Sequence, residues 1–246
     1  MLIAAIHLAP SLGTPGFPGA DVVLAGLNAD LAALDGTGID GILLENENDK
    51  PHTLTVNHEQ LAWLTRVALH ARAHTKLPLG INIQRIDWQA TFAIAAAVGL
   101  DFVRLDTLVD RVRMGGEEVA LEPEAVMTAR PPGVKTLVDV QVKHAELLDT
   151  RSLAESARRA FAAGADAVLV TGTRTGEPPL VDDLRAARVG GPIYIGSGLD
   201  ADNAGRLAPH CDGAIVGTSL KEGARISRVR VAQLVEAWRR ACASRP

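Results

Sequence analysis

Four turns of one pattern recur along this 246-residue chain, and they leave few folds open. Gly38-Ile39-Asp40-Gly41-Ile42, Gly99-Leu100-Asp101-Phe102-Val103 and Gly164-Ala165-Asp166-Ala167-Val168 share it, and Cys211-Asp212-Gly213-Ala214-Ile215 is a looser copy. In each, a helical stretch closes, often on a glycine suited to a left-handed cap, and aspartate turns the chain into an apolar run. The apolar runs predict eight strands: Leu2–His7, Gly41–Glu45, Leu79–Ile83, Phe102–Leu105, Lys135–Val140, Ala167–Val170, Ile193–Gly196 and Ala214–Val216. The four turns precede the even members of this set. Helical periodicity fills the intervals, over roughly Ala20–Leu34, Asn57–His74, Trp88–Val98, Glu122–Ala129, Leu153–Ala163, Leu180–Arg188, Ala201–Ala208 and Val229–Ala243. The strands read as continuous apolar runs, as strands buried on both faces do. An open, doubly wound sheet needs no such regularity, whereas eight βα units of about 30 residues fill the chain. The expected architecture is a (β/α)8 barrel, the TIM barrel, as a single α/β domain over residues 1–246, with Pro10–Gly19 as a long first βα loop.

Composition agrees with this and narrows the function. Hydrophobic residues make up 47% of the chain and charged residues 22%, enough to bury a large core. Aromatics are only 3%, so Ala, Val, Leu and Ile do the packing, as suits layered α/β structure. A formal charge of −4 marks neither a dedicated nucleic-acid binder nor a membrane-surface protein. Cys211 and Cys242 cannot build a disulfide framework and lack zinc-ligand spacing. No apolar run approaches the roughly 18 residues of a membrane span. Leu2–Leu8 is apolar like a signal-peptide core, but the first Lys or Arg is Lys50, so no signal peptide and a cytoplasmic location are expected.

In such a barrel, reacting groups lie at the C-terminal ends of strands and in the loops that follow. This gives His7; Glu45 and Asn46; Asn82, Arg85 and Asp87; Arg104 and Asp106; Asp139, Lys143 and His144; and the turns after the last three strands. The opposite loops, Gly36–Asp40, Lys76–Pro78, Pro131–Gly133 and Gly164–Asp166, are expected to serve stability. Gly196-Ser197-Gly198-Leu199-Asp200 and Gly217-Thr218-Ser219-Leu220 place glycine and a hydroxyl at matching positions after strands seven and eight. Glycine admits an anion close to the backbone, and successive N–H groups at a helix start favour negative charge, so phosphate binding is expected there. Tight turns without a ligand are the plain alternative. Thr171-Gly172-Thr173-Arg174-Thr175-Gly176-Glu177-Pro178-Pro179 either covers the same ligand with hydroxyls and Arg174 or is an ordinary loop.

Asp139-Val140-Gln141-Val142-Lys143-His144 brings an acid, a cation and a base together. If the extended run continues, Asp139, Gln141 and Lys143 share one side. Lys143 could hold a phosphate or carboxylate, or form a Schiff base, and His144 could carry a proton. A surface Lys-His pair is the alternative. Glu45, Asp106 and Asp139 could converge for acid/base chemistry or bind a divalent cation, Mg²⁺ or Mn²⁺, through oxygen ligands. Salt bridges to Arg85 and Arg104 would explain them equally. Asn46 and Asn82 could bond sugar hydroxyls or cap turns. His70 and His74, spaced as zinc ligands are, belong on a solvated helix face. So do Arg225, Arg228, Arg230, Arg239, Arg240 and Arg245 near the C-terminus. Trp63, Trp88 and Trp238 read as packing or interface residues.

With these residues assembled, the chain resembles the BtpA/SgcQ family. The likeness is carried by His7-Leu8-Ala9-Pro10 with Leu12-Gly13-x-Pro15, by Leu44-Glu45-Asn46, by Gly80-Ile81-Asn82-Ile83 with Arg85 and Asp87, and by Ala93–Val98. It continues through Asp139-Val140-x-Val142-Lys143-His144, Val170-Thr171-Gly172 with Thr175-Gly176-Glu177-Pro178-Pro179, Ile195-Gly196-Ser197-Gly198 and Val216-Gly217-Thr218-Ser219-Leu220-Lys221. The resemblance implies a TIM barrel with a phosphate-type site, and family-like positions at Glu45, Asn82, Asp139, Lys143 and His144. The family takes its names from a factor needed for photosystem I accumulation and from a protein of a sugar-utilisation cluster. The chain departs from the pattern at Glu47-Asn48-Asp49, at Asp106 where Asn is usual, and in the shortened Glu222–Arg228 segment. All three are mouth positions, so the substrate is expected to differ from that of typical members.

The leading expectation is an enzyme acting on a phosphorylated sugar or nucleotide-derived ligand: a lyase, glycosidase or isomerase without a required organic cofactor. Phosphate would rest on Gly196, Ser197, Gly198, Gly217, Thr218 and Ser219. Glu45 and Asp139 would be the acid/base pair, with Lys143, His144 and Asp106 beside them. His7, Asn46, Asn82, Arg85, Arg104, Thr171 and Gly172 would contact the substrate. The alternatives are a non-catalytic assembly or regulatory factor using the barrel as a platform, and nucleic-acid binding through the C-terminal arginines. Neither a nucleic-acid partner nor a membrane span is favoured, and a homo-oligomer is expected.

Overall fold

Eight parallel strands close on themselves in chain order in the computed structural model, which describes residues 1–172, 174 and 176–243. The strands are β1 (Leu2–His7), β2 (Gly41–Glu45), β3 (Leu79–Asn82), β4 (Phe102–Leu105), β5 (Lys135–Asp139), β6 (Ala167–Val170), β7 (Ile193–Ile195) and β8 (Gly213–Val216). Each hydrogen-bonds its sequence neighbours, and β8 returns to β1, with Leu2 opposite Ala214. The expected barrel is therefore present, and strand ends differ from the sequence expectation by at most one residue. Thr173, Thr175 and Arg245, expected in ligand-covering or solvated roles, lie outside the described residues.

The repeated aspartate explains why the four turns recur. Asp40 accepts the N–H of Leu2, Asp101 that of Leu79, Asp166 that of Thr136 and Asp212 that of Ile193, all at 2.6–2.9 Å. The same four residues donate their own N–H back, to the carbonyls of Leu2, Leu79, Thr136 and Ile193. Each turn thus clasps the start of the preceding odd strand with a two-bond ring. That supplies donors and acceptors at the barrel's N-terminal rim that no ladder would satisfy. Two of the loops expected to serve stability, Gly36–Asp40 and Gly164–Asp166, carry such an aspartate.

Around the barrel run α1 (Ala20–Leu34), α2 (His58–His74), α3 (Trp88–Val98), α4 (Pro123–Thr128), α5 (Leu153–Ala162), α6 (Val181–Ala187), α7 (Ala204–Leu207) and α8 (Arg228–Ala243). Local sequence sets several of their ends. Asn57 and Gln60 form a reciprocal capping box at the start of α2, Asp87 caps α3 through Ala90 N–H, and Gly99 ends α3 at φ +68°. One element went unforeseen. Val112–Met114 and Glu117–Val119 form a hairpin on Gly115-Gly116, both at positive φ, and Glu146–Leu147 adds a third antiparallel strand. The Gly-Gly pair between apolar runs was the available signal. This small sheet packs Val112, Met114 and Val119 around Val142, and so fixes the loop after β5.

Inside the barrel the pleat sorts residues by parity. Ile3, Ala5, Leu43, Phe102, Leu137, Ala167, Leu169 and Ile215 pack in the interior. Their period-two successors toward the C-terminal rim are His7, Glu45, Arg104, Asp139 and Gly217, a polar layer on an apolar plug. Gly80 supplies the gap that Phe102 fills, since a Cβ there would collide with the ring. Gly80→Ala should therefore destabilise by about 1–3 kcal/mol, which at this size is a fall in Tm of roughly 5 °C. Unchanged melting in calorimetry would show that Phe102 repacks freely.

Candidate active site

The polar layer is organised by one arginine. Arg104, on β4, donates from Nε and Nη2 to both oxygens of Asp139 at 2.7 and 3.0 Å, and from Nη1 to Glu45 Oε1 at 2.9 Å. It is 8% exposed and lines the floor of the mouth, while Asp139 is fully buried beneath it. Burial opposes its charge, but Asp139 and Glu45 more than reverse this and hold the guanidinium well above the ordinary arginine value. The other oxygen of Glu45 lies 3.4 Å from His7 Nε2. Burial lifts the Glu45 carboxyl to about 6, against the pull of Arg104. Burial also drives His7 down to about 4, helped by the cations Lys221, Arg104 and Lys143, so its ring is neutral near pH 7.

Asp106 forms a second node. Its Oδ1 accepts from Asn82 Nδ2 at 3.0 Å and its Oδ2 from the Arg85 N–H at 2.8 Å. His144 Nε2 is 3.0 Å from the same Oδ2, off the line of a directed hydrogen bond. Burial works to raise the Asp106 carboxyl, but His144, Arg104 and the Arg85 N–H outweigh it and keep Asp106 well below the usual carboxylate range. Asp106 is thus a fixed anion, whereas Glu45 is one that can change charge near neutrality. Pairs whose surroundings push their pKa values apart in this way divide acid/base roles between them.

These groups line a cavity of about 230 Å³ at the C-terminal mouth, shared by His7, Glu45, Asn82, Arg85, Lys143 and His144 with the turns after β7 and β8. Four placements differ from the sequence expectation. Asp139 does not line the cavity, because both its oxygens are spent on Arg104. Asn46 is turned to loop support, donating to Asp49 and accepting from the Gln84 N–H. Gln141 does not continue the inward face of β5, since its backbone turns to φ +50° and its side chain reaches Arg151 O and Ser156. Thr171 and Gly172 do not line the cavity, since Thr171 lies against Gly196 and Gly172 against the Glu177–Pro178 backbone. Lys143 nevertheless reaches the mouth. Burial and Arg104 lower its pKa.

The turns after β7 and β8 reach the cavity through Gly196–Gly198 and Gly217–Ser219. Their glycines answer first to protein neighbours. A Cβ on Gly198 would strike the Glu177–Pro178 backbone, and one on Gly217 would strike His7 Nε2. The expected helix start is absent after β7, because α7 begins only at Ala204 and is one turn long, while β8 leads into a 3-10 turn at Thr218–Leu220. Ser197 and Ser219 hydroxyls donate to Glu177 O and Leu199 O. Among the described residues, however, none accepts from the N–H groups of Ser197, Gly198, Thr218 or Ser219.

No three of the His, Cys, Asp and Glu side chains among the described residues group as metal ligands, because Arg104 stands between Glu45 and Asp139. His70 and His74 stack on the exposed face of α2, with His70 bonded to Asn28. The C-terminal arginines tie α8 and its approach to α1: Arg225 pairs with Asp30, and Arg228 bonds the Asp35 carbonyl. No helix among the described residues is long and apolar enough to cross a membrane.

Fold and mouth together define a TIM-barrel protein with a polar, titratable site at the C-terminal rim. The sequence profile of the BtpA family matches residues 1–240, and the chain belongs to that family. It is 32% identical to the photosystem I biogenesis protein BtpA of Synechocystis over 261 aligned positions, covering all of this chain and 90% of the relative. It is 36% identical to an uncharacterized protein of Pyrococcus abyssi, PYRAB10620, over 91% of this chain and 88% of the relative. Among solved structures it superposes on thiamine phosphate pyrophosphorylase from Pyrococcus furiosus with a TM-score of 0.62 at 15% identity, covering 98% and 96% of the two chains. On 3-hexulose-6-phosphate synthase from Salmonella typhimurium the TM-score is 0.61 at 14% identity, covering 98% and 99%. At such identities the likeness concerns the fold.

Proposed function

We propose that this protein is an enzyme that binds a phosphorylated small molecule, a sugar phosphate or nucleotide-derived compound, in the barrel mouth and moves a proton on it. The observation that carries the proposal is a pair of mouth cations without a salt-bridge partner. Glu45 and Asp139 share Arg104, Asp106 is held by Asn82 and the Arg85 N–H, and Glu47 accepts from Gln84, while among the described residues neither Lys143 nor Arg85 has a salt-bridge partner. Unmatched cations in a half-buried cavity favour an anionic ligand. The free N–H groups after β7 and β8 lie where TIM barrels hold phosphate, and the phosphate enzymes that share this fold are consistent with that use. With phosphate on those turns and near Lys143, Glu45 is the group that takes or gives the proton. Neutral His7 and the Asp106–His144 pair set its surroundings, and Asn82 orients a substrate hydroxyl. Asp139 acts through Arg104, as a positioning residue. Isomerisation, and cleavage of a C–O, C–N or C–C bond beside a carbonyl, all begin with such a transfer.

A thermal-shift panel tests the binding half of this proposal. It pairs pentose and hexose phosphates and nucleoside monophosphates with their unphosphorylated forms. A ligand at 100 times its Kd adds about 2.7 kcal/mol, a rise in Tm of roughly 5–10 °C at this size. Phosphorylated members should stabilise where their parents do not, and Lys143→Ala should abolish the response while keeping the apo melting temperature. Equal response to both forms, or none to any phosphate, would remove the phosphate site.

A further inference from the structure

Arg85 is held in a conformation that its own backbone disfavours. Its φ is +84°, in the region that glycine, not arginine, adopts readily. Such a residue persists only where its surroundings fix it, and here they do so on three consecutive amides. Gln84 N–H donates to Asn46 Oδ1, Arg85 N–H to Asp106 Oδ2 at 2.8 Å, and Ile86 N–H to the Leu54 carbonyl. The carboxylate used is a fixed anion, and Asp87 then caps α3 and receives the Val56 N–H, closing the segment. All this anchoring serves the backbone. The guanidinium itself lines the mouth beside His52, half-buried, and no carboxylate among the described residues pairs with it.

Arg85 follows β3, and the free N–H turns follow β7 and β8. In a ring of eight strands taken in order, β3 and β7 are four places apart, so they face each other across the mouth. One cavity is lined by both. We infer that the substrate carries two anionic groups, with one phosphate on the β7/β8 turns and a second phosphate or a carboxylate received by Arg85 on the opposite wall. Planar, five-donor guanidinium suits either group as a bidentate partner. A ligand charged only at the turns would leave the Arg85 guanidinium without an ion-pair partner. This inference rests on the phosphate site proposed above and adds the far end of the molecule.

Affinities of the purified protein for ribose 5-phosphate, ribulose 1,5-bisphosphate and 6-phosphogluconate, at fixed ionic strength, test it. The two doubly anionic compounds represent the two possible second groups, and at least one should bind about tenfold or more tighter than the monophosphate. Arg85→Gln should erase that gap and leave monophosphate binding in place. Arg85→Gly, which relaxes the backbone, should do the same without loss of fold. Equal affinity for single and double anions, or a gap that survives both substitutions, would overturn the inference while leaving the phosphate site standing. Absence of binding by all three would instead remove the phosphate site and the inference with it.

Discussion

Arg104→Met should lower the melting temperature by about 10 °C at pH 7. Arg104 bridges two buried carboxylates, Asp139 and Glu45, and its loss leaves Asp139 buried without that partner and Glu45 with His7 beside it. Breaking a buried pair by removing one partner typically costs about 3–5 kcal/mol, and each kcal/mol moves Tm by roughly 2–4 °C at this length. The defect should depend on pH with a definite sign. Without the guanidinium, burial raises both carboxyls in the folded state above their unfolded values. Carboxyls raised on folding favour the folded state below the unfolded pKa, near 4, and that advantage is lost as pH climbs through the raised value. The gap between variant and parent should therefore narrow as pH falls toward about 4–5. Arg104→Lys should not rescue, because an ammonium cannot span three carboxylate oxygens as the fork does. Adding Asp139→Asn to the methionine variant should recover part of the loss by removing one orphaned charge. Calorimetry at pH 5 and pH 7 decides the matter, and a variant melting within about 2 °C of the parent at both would show that Arg104 does not hold the mouth together.

The barrel was legible because its constraints are local and repeated. An aspartate that turns a chain into a strand looks the same in sequence wherever it occurs, and four copies at βα spacing set the topology. What sequence could not give is the partner of each copy, the amide one odd strand back, since that is a contact across 38 residues for Asp40 and Leu2. The site was legible in part for a similar reason. Strand ends nominate His7, Glu45, Asn82, Arg104 and Asp139, and period two places them on one layer. Sequence treats them as equals, however, whereas the structure ranks them. Arg104 takes the centre because β4 stands between β3 and β5 in the ring, within reach of Asp139 next door and of Glu45 beyond. Asp139 therefore leaves the cavity and Glu45 keeps its face to it. Beyond β5 the period-two extrapolation failed at Gln141, whose positive φ breaks the strand, and only the unforeseen sheet around Val142 returns Lys143 to the mouth. Asp106, read as an exchange of Asn at the mouth, holds the Arg85 N–H, a backbone contact that a side-chain reading of strand ends does not predict.

Glu45→Gln should separate function from stability. As the proton-transfer group, Glu45 is expected to contribute roughly 10²–10⁴-fold to turnover of a phosphorylated compound picked out by the thermal-shift panel, and the amide should forfeit that factor. In the parent protein kcat/KM should rise with pH through about 6, the value to which burial lifts this carboxyl, if Glu45 acts as the base, and fall through it if Glu45 acts as the acid. His7, neutral above about 4, adds no second limb in that window. Stability runs the other way. A carboxyl raised from 4.5 to about 6 on folding favours the folded state below 4.5, and that advantage disappears as pH passes 6. At pH 7 the ionised group is thus a liability of order 2 kcal/mol, part of which the neutral amide removes while still accepting from Arg104. The variant should be inactive yet melt at or slightly above the parent at pH 7, and the difference should vanish below pH 4.5. If Glu45 is the proton-transfer group it serves chemistry at a cost to the fold, which distinguishes it from Arg104. A Glu45→Gln protein that keeps its turnover, or one that unfolds with the cooperativity and deficit of Arg104→Met, would assign Glu45 to the scaffold and move the proton transfer to the Asp106–His144 pair.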